Sequence, residues 1–395
     1  MKRFLTLVLI SSILTVAVGN AAQPKISVKP LRLVTTFSKS DGTAGFIAGS
    51  KTIILFGTDS DRSFARALDS NGQELWRVEL APNSSSIATA GAVDSGGNIW
   101  IAGATSLAQA NNSAVPSTTS LNPDNVADVP EITNTDLNVI ALWKIPNGTS
   151  TPILYTVQQA TPVLITDIAV DENGLSLVGI TQSTKGSQGF VIGANPAGEF
   201  SKSILVGASS TTLDAVVRHS DGGLTVTGAS SETLGGKKLV GVIDGVIVKI
   251  SNKGTITQVV RSSAVKAQRN WNTATSTFLL GGTVVTGKKI ESAITKFSST
   301  YVPTWSYKFA SNGPAKTAGS TYVIFESIAP IPQLTNWAPK KPQPLLLSFN
   351  SKGLITAAFN APNDQREVIE LTSSKELGLL CMTANSDSYS IYSLA

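Results

Sequence analysis

The chain has 395 residues, of which 42% are hydrophobic and only 14% are charged. This composition can supply a hydrophobic core and excludes wholesale disorder. The single cysteine excludes an intramolecular disulfide, and 31 basic against 26 acidic residues give too weak a charge for a surface that binds nucleic acid.

The first 21 residues have the pattern of a secretory signal peptide. Lys2 and Arg3 precede an apolar stretch over residues 4–18, and small residues fit cleavage after Ala21. The stretch is shorter than the about 20 residues that a membrane span needs, although a retained anchor stays an alternative. We therefore expect an exported protein, either secreted or held in the cell envelope or periplasm, with no membrane span in the mature chain. Residues 22–30 are expected to form an N-terminal linker.

Repeated hairpins follow along the chain. Residues 92–103, 169–179 and 217–228 each contain a strand, a tight glycine turn and a second strand. A second type of hairpin alternates with the first, and its turns end in Gly72, Gly148, Gly198, Gly254 and Gly353. Two hairpins make a four-stranded unit of about 45 to 55 residues, which is typical of a β-propeller blade.

The spacing of the repeats also locates an insertion. Gly57 to Gly103 is 46 residues and Gly179 to Gly228 is 49, whereas Gly103 to Gly179 is 76. The excess falls on residues 107–136, which are rich in Asn, Ser, Thr and Pro and predict a long loop. This loop should overhang the funnel of the propeller, either as a lid or partner-binding loop or as a tolerated insertion.

The units predict an all-β propeller of seven four-stranded blades in a single domain over residues 31–395. The last unit, residues 364–395, is one strand short, and residues 31–37 can supply that strand. The N- and C-terminal strands should therefore share one blade and close the ring. Six or eight blades stay possible. A β-solenoid is disfavoured because its coils are shorter and two hairpin types alternate here.

Residues 92–105 are similar to the repeat of the bacterial seven-bladed β-propellers found in secreted proteins. Residues 67–76 resemble, less closely, a quinoprotein-type propeller repeat. Both resemblances imply blade geometry, and neither transfers a catalytic residue to this chain.

Five carboxylates are the candidate ligand-binding residues of the funnel face: Asp59, Asp61, Asp167, Asp214 and Glu232. Asp167 and Asp214 come near the starts of two inner strands, and the other three follow inner hairpins on the same face. Such acids could bind a cation or a sugar, although acids at the mouth of a channel are also commonly just solvated.

Other sites are not indicated. The only histidine, His219, maps to the opposite face, and one His with one distant Cys cannot form a zinc site. No calcium-loop, phosphate-loop or nucleophile motif occurs, so we expect no metal and no cofactor. The lysine pairs 237–238, 288–289 and 340–341 are interpreted as solvated loop charges.

The sequence therefore favours an exported, non-enzymatic propeller that acts as a binding or scaffold module. Its partner would be an extracellular or cell-envelope protein or a glycan, and it would act as a monomer. The alternative is a propeller enzyme, either a glycan-active hydrolase or lyase or a quinone-dependent dehydrogenase. Paired acids in the funnel would favour the hydrolase.

Overall fold

The computed structural model describes residues 25–82, 84–106 and 137–394. The predicted signal peptide over residues 1–21 and the predicted loop insertion over residues 107–136 lie outside the described residues. Within the described ranges no helix has the length and apolarity that a membrane crossing requires.

The described residues form thirty strands and one short 3-10 turn, Lys39–Asp41. In chain order the first ten strands are β1 Ile26–Pro30, β2 Arg32–Ser38, β3 Thr43–Ala48, β4 Ile53–Asp59, β5 Arg62–Leu68, β6 Glu74–Glu79, β7 Ser86–Val93, β8 Ile99–Thr105, β9 Val139–Ile145 and β10 Ile153–Gln158. The next ten are β11 Val163–Asp171, β12 Gly174–Ser183, β13 Gly186–Ala194, β14 Ile204–Val206, β15 Thr211–Arg218, β16 Leu224–Ser230, β17 Asp244–Ile250, β18 Ile256–Ser262, β19 Gln268–Ala274 and β20 Leu279–Thr286. The last ten are β21 Lys289–Phe297, β22 Pro303–Ala310, β23 Lys316–Ala318, β24 Tyr322–Ser327, β25 Leu334–Thr335, β26 Gln343–Phe349, β27 Ile355–Asn360, β28 Glu367–Ser374, β29 Gly378–Ala384 and β30 Ser388–Ser393.

These strands form an all-β propeller. Six sheets in the described ranges have the predicted four antiparallel strands: β3 to β6, β7 to β10, β11 to β14, β15 to β18, β19 to β22, and β28, β29, β30 with β2. Their innermost strands are β3, β7, β11, β15, β19 and β28; β23 takes the same place in the remaining sheet, and each innermost strand contacts the next around the axis. The contact between β28 and β3 closes the ring.

The N- and C-terminal strands share a sheet, as the sequence predicts. Strand β2 pairs antiparallel with β30, and Phe37 lies opposite Tyr389. Because β30 pairs in turn with β29, a strand from the start of the chain completes the sheet built by its end. The ring therefore has no seam between its termini.

The remaining sheet corrects the prediction of four strands in every blade. It has six strands, in the order β23, β24, β26, β27, β1 and β25. Residues 26–30, predicted to be linker, form β1, which runs parallel to both β27 and β25. Alternation explains the strand, because Ile26 and Val28 pack on the core cluster of this sheet while Ser27 between them is exposed.

Adjacent sheets pack face to face through hydrophobic side chains. Each of seven clusters joins one sheet to the next, and the cluster around Leu380 and Ile391 joins the terminal sheet to the β3–β6 sheet. Strands in the middle of a blade are therefore buried on both faces, which explains runs such as residues 139–145. Cys381 lies inside such a contact, and burial raises the pKa of its thiol to about 12.

A bulge recurs in the innermost strands and explains the repeated glycines. In six of the seven described innermost strands the pairing with the next strand slips by one residue within the strand. In five of these sheets a glycine faces the residue before the bulge, and a Cβ there would overlap a backbone carbonyl oxygen in or next to the paired strand: Gly57, Gly103, Gly179, Gly228 and Gly282. The spacing that predicts the repeat is thus the spacing of these bulges.

Candidate functional site

The innermost strands surround a polar cavity on the propeller axis, which we call the channel cavity. It has a volume of about 470 Å³ and takes lining residues from all seven sheets. Bulges place an extra residue on five of its walls: Ala44, Thr89, Thr166, Asp214 and Asn272. A bulge turns a side chain away from the regular alternation of the strand, so the bulges contribute four polar side chains to the lining.

Asp167 joins two sheets at the wall of this cavity. Its Oδ1 accepts the N–H of Ile168 at 2.8 Å, and its Oδ2 accepts the N–H of Val216 in the next innermost strand, also at 2.8 Å. Thr166 adds a second bond to the same strand by donating to the carbonyl of Leu213 at 2.7 Å. Burial raises the pKa of Asp167 to about 7, even though both N–H groups favour the charged form.

One carboxylate oxygen of Asp214 can still accept a hydrogen bond. Its Oδ2 is buried and has no partner among the described atoms. Burial raises the pKa of this carboxyl, and a hydrogen bond from the Asn270 side chain together with the charge of Lys316 partly opposes that shift. Asn272, also in the lining, has a buried Oδ1 without a partner.

The opposite wall carries an ion pair. Lys316 Nζ lies 3.6 Å from Glu370 Oε2, and Glu370 Oε1 accepts the N–H of Leu371 at 2.9 Å. The pair joins β23 to β28 as Asp167 joins β11 to β15. One cation thus stands among three carboxylates in the channel cavity.

Asp59 and Asp61 do not line the channel cavity. Asp59 is exposed and pairs with Arg77 Nη2 at 3.0 Å. Asp61 sits with Ser60 in the turn between β4 and β5, where both residues have positive φ, 69° and 48°. That hairpin turn carries the two carboxylates outward into solvent.

Glu232 holds a loop in place. It accepts the N–H groups of Ala208, Ser209 and Ser210 at 2.9 to 3.2 Å, and the hydroxyl of Thr211 at 2.7 Å. Partial burial alone would raise the pKa of Glu232, but these hydrogen bonds lower it to about 2. The carboxylate thereby fixes the connection between β14 and β15.

His219 has a packing role in the described structure. Its Nε2 lies 2.7 Å from Thr225 Oγ1, and its ring stacks on Phe278 with centroids 5.4 Å apart. Partial burial lowers the pKa of His219. Throughout the described ranges, no group of three His, Cys, Asp or Glu side chains is placed to hold a metal ion.

Of the residues predicted from the sequence, Asp167 and Asp214 line the channel cavity. The prediction missed Asn272, Lys316 and Glu370, which also line it. Glu370 follows the bulge of its strand just as Asp167 does. Aligning the innermost strands on that position would have found it. The glycine that marks the bulge elsewhere is Thr383 in this sheet, so the signal was absent there.

Comparison with known proteins identifies a fold and no family. No protein-family model matches the sequence, including any for the bacterial secreted propellers that residues 92–105 resemble, and no curated protein matches it. The WD40 domain of Toxoplasma gondii coronin is similar in structure, with a TM-score of 0.51 and 9% identity over 94% of this chain and 88% of that one.

Two further solved structures show lower similarity. A Lactobacillus plantarum protein has a TM-score of 0.47 at 11% identity, covering 87% of this chain and 95% of that one. A Penicillium chrysogenum alpha-L-arabinanase complexed with arabinobiose has a TM-score of 0.46 at 9% identity, covering 87% and 98%. At these identities the coronin domain supports the propeller fold alone.

Proposed function

We propose that this protein is an exported, non-enzymatic β-propeller that binds a protein or glycan ligand at its channel cavity. In this proposal the six-stranded sheet serves as a seventh blade, in which β23, β24, β26 and β27 form the four-stranded unit. The carrying observation is the pair of buried acceptors without partners, Asp214 Oδ2 and Asn272 Oδ1. Burying an acceptor without a donor costs free energy, so turning either side chain towards a ligand hydroxyl or N–H in the cavity is favoured.

The other two acids of the cavity are already engaged. Both oxygens of Asp167 accept main-chain N–H groups, and those of Glu370 face a main-chain N–H and Lys316. A glycosidase needs two carboxyl groups that are free to act on the substrate as acid and as base or nucleophile. Among the three described carboxylates that line the channel cavity, Asp214 is the one with an oxygen that has no partner, which supports recognition over hydrolysis.

A glycan array with a follow-up titration tests the proposal. The wild-type mature chain should bind one glycan class, and Asp214→Asn should weaken that binding about tenfold or more, since a hydrogen bond to a charged group is lost. Asp61→Asn is the matched control, because it removes the same charge from an exposed turn outside the cavity. Equal binding by the wild type and Asp214→Asn would contradict a ligand site in the channel cavity.

One observation favours the enzyme alternative. A carboxyl with a pKa of about 7, such as Asp167, suits a general acid at neutral pH. Incubation of the array ligand with wild type and Asp167→Asn, followed by mass spectrometry, separates the two functions. The binding proposal expects intact ligand from both proteins, whereas cleavage by the wild type alone would support a hydrolase.

Export is part of the proposal and rests on the sequence of residues 1–21. N-terminal sequencing of the protein recovered from outside the cytoplasm should begin at Ala22. An intact Met1 on membrane-bound protein would instead indicate a retained anchor. Size-exclusion chromatography with light scattering should give the mass of a monomer, and a dimer mass would contradict that part of the proposal.

A further inference from the structure

A second cavity opens where β1 changes its pairing partner. Ile26 and Ser27 pair with Leu334 and Thr335 of β25, whereas residues 28–30 pair with β27. A cavity of about 740 Å³ lies against Ser27 and Val28 at this fork, with Thr335 of β25 and Asn360 of β27 in its lining. We call it the fork cavity. It shares no lining residue with the channel cavity.

The lining of the fork cavity carries one sign of charge. Lys340, Lys341 and Arg366 line it, and no Asp or Glu does. Among the described residues, none of these three cations has a carboxylate within 4.0 Å, although nine other ion pairs occur there. Three cations around one concavity repel one another unless an anion lies between them.

The cations come from two connections that meet at one end of the sheet. Lys340 and Lys341 lie between β25 and β26, and Arg366 lies between β27 and β28. Arg366 is held in place, because its Nη1 donates to the carbonyl of Gln365 at 2.8 Å and to that of Pro342 at 3.4 Å. Such anchoring reduces the side-chain entropy that a bound ligand would otherwise have to remove.

Amide side chains complete the polar wall. Asn336 and Asn363 line the fork cavity, are exposed, and make no side-chain hydrogen bond to another described residue. Their amide groups can donate to anionic oxygens or pair with hydroxyls. Trp337 forms part of the wall and is fixed by a bond from its Nε1 to Ser327 Oγ at 3.0 Å.

From this arrangement we propose that the fork cavity binds a ligand that carries phosphate or sulfate ester groups. A guanidinium offers a planar fork of N–H donors that matches such an oxyanion, and two ammonium groups add point charges beside it. The cavity has the volume of a small-molecule site and exceeds the size of a bare ion, so the ester group would belong to a larger molecule. The lysine pair interpreted from sequence as a solvated loop charge is, in this proposal, part of a site.

Calorimetric titration at low ionic strength tests the proposal with three probes: inorganic pyrophosphate, a sulfated disaccharide and the same disaccharide without sulfate. The wild type should bind at least one charged probe and not the neutral one, and the preferred probe tells phosphate from sulfate. The variant Lys340→Gln/Lys341→Gln should bind about tenfold more weakly, since it removes two of the three positive charges that attract the oxyanion. Raising the salt should weaken wild-type binding as well.

The matched control is Lys237→Gln/Lys238→Gln, which removes an exposed lysine pair remote from the fork cavity in sequence and absent from its lining. It should bind the charged probe as the wild type does, and Asp214→Asn should too, because its carboxylate lies in the other cavity. Circular dichroism should show that both lysine variants fold, since the substituted lysines are exposed. Any one of three results would overturn the proposal: no binding of a charged probe, equal binding of the neutral disaccharide, or equal weakening of binding in both lysine variants.

Discussion

Replacing Gly103 by alanine should destabilise the propeller far more than an ordinary glycine substitution in a strand. A Cβ on Gly103 would overlap the carbonyl oxygen of Ile87, lie 2.8 Å from its carbonyl carbon and lie 3.1 Å from Ala88 Cα. These atoms belong to the backbone of the paired strand β7 and cannot rotate away. The two strands must separate, or the bulge at Thr89 must be lost.

The cost follows from known effects of overpacking. Extra methyl groups in well-packed sites cost about 1 to 3 kcal/mol, and a clash with main chain belongs at the upper end. Alanine also restricts the unfolded chain, which returns about 0.5 to 1 kcal/mol. We therefore expect Gly103→Ala to lower the free energy of unfolding by about 2 kcal/mol.

Urea unfolding followed by tryptophan fluorescence measures this change, because Trp100 and Trp143 are buried in the same sheet. The control is Gly193→Ala in β13, where φ is ordinary and the nearest atom to a Cβ is Ser201 Oγ at 3.3 Å. It should stay within about 0.5 kcal/mol of the wild type. Equal unfolding free energies for Gly103→Ala and this control would contradict the conclusion that the bulges require the recurring glycines.

Three further predictions concern stability. Glu232→Gln should lower the free energy of unfolding by about 2 kcal/mol at pH 7 in a urea titration, whereas the exposed Glu172→Gln should not. Because the pKa of Glu232 in the folded protein is depressed to about 2, the stability difference between wild type and Glu232→Gln should vanish as the pH falls from about 4.5 towards 2. A difference that persists at low pH would refute the role of the carboxylate. The pKa of Asp167 in the folded protein is raised to about 7, so its contribution to the free energy of unfolding should become less favourable as the pH rises from about 4 to 7, by on the order of 1 kcal/mol per pH unit. Asp167→Asn should remove that pH dependence of stability. An identical pH profile of stability for both proteins would contradict the raised pKa. Ile391→Ala should lower the free energy of unfolding by about 3 kcal/mol, because Ile391 is fully buried between the terminal sheet and its neighbour. An unchanged melting temperature would contradict closure of the ring by the chain termini.

The repeat architecture could be predicted because its signals are local. A glycine turn between two β-rich segments fixes a hairpin, and the recurring Gly103, Gly179 and Gly228 mark equivalent strands. Closure by the termini also followed, since one unit lacked a strand that residues 31–37 could supply. These inferences need only the neighbouring residues and a count.

Strand β1 could not be predicted in the same way. It has five residues, ends at Pro30, and pairs parallel with strands more than 300 positions away in sequence. Nothing in its neighbourhood indicates such partners. The fork cavity depends on that pairing, so it was hidden as well.

The candidate site was predicted in part for a related reason. Asp167 and Asp214 lie on strands that carry the repeat clearly, so their place near the axis could be inferred. Lys316 and Glu370 lie on strands where the repeat is weak, because β23 has three residues and β28 faces Thr383 instead of glycine. Asp59 ends strand β4 and Asp61 lies in the turn that follows, and this tight turn directs both side chains into solvent.

A crystal structure of the protein soaked with its best array glycan is the most direct test of the proposed function. We expect an intact glycan in the channel cavity, with donors within hydrogen-bond distance of the Asp214 carboxylate and of the Asn272 side-chain oxygen, once these side chains have turned towards it. A glycan bound elsewhere with the channel cavity unchanged, or a cleaved product beside Asp167, would contradict it.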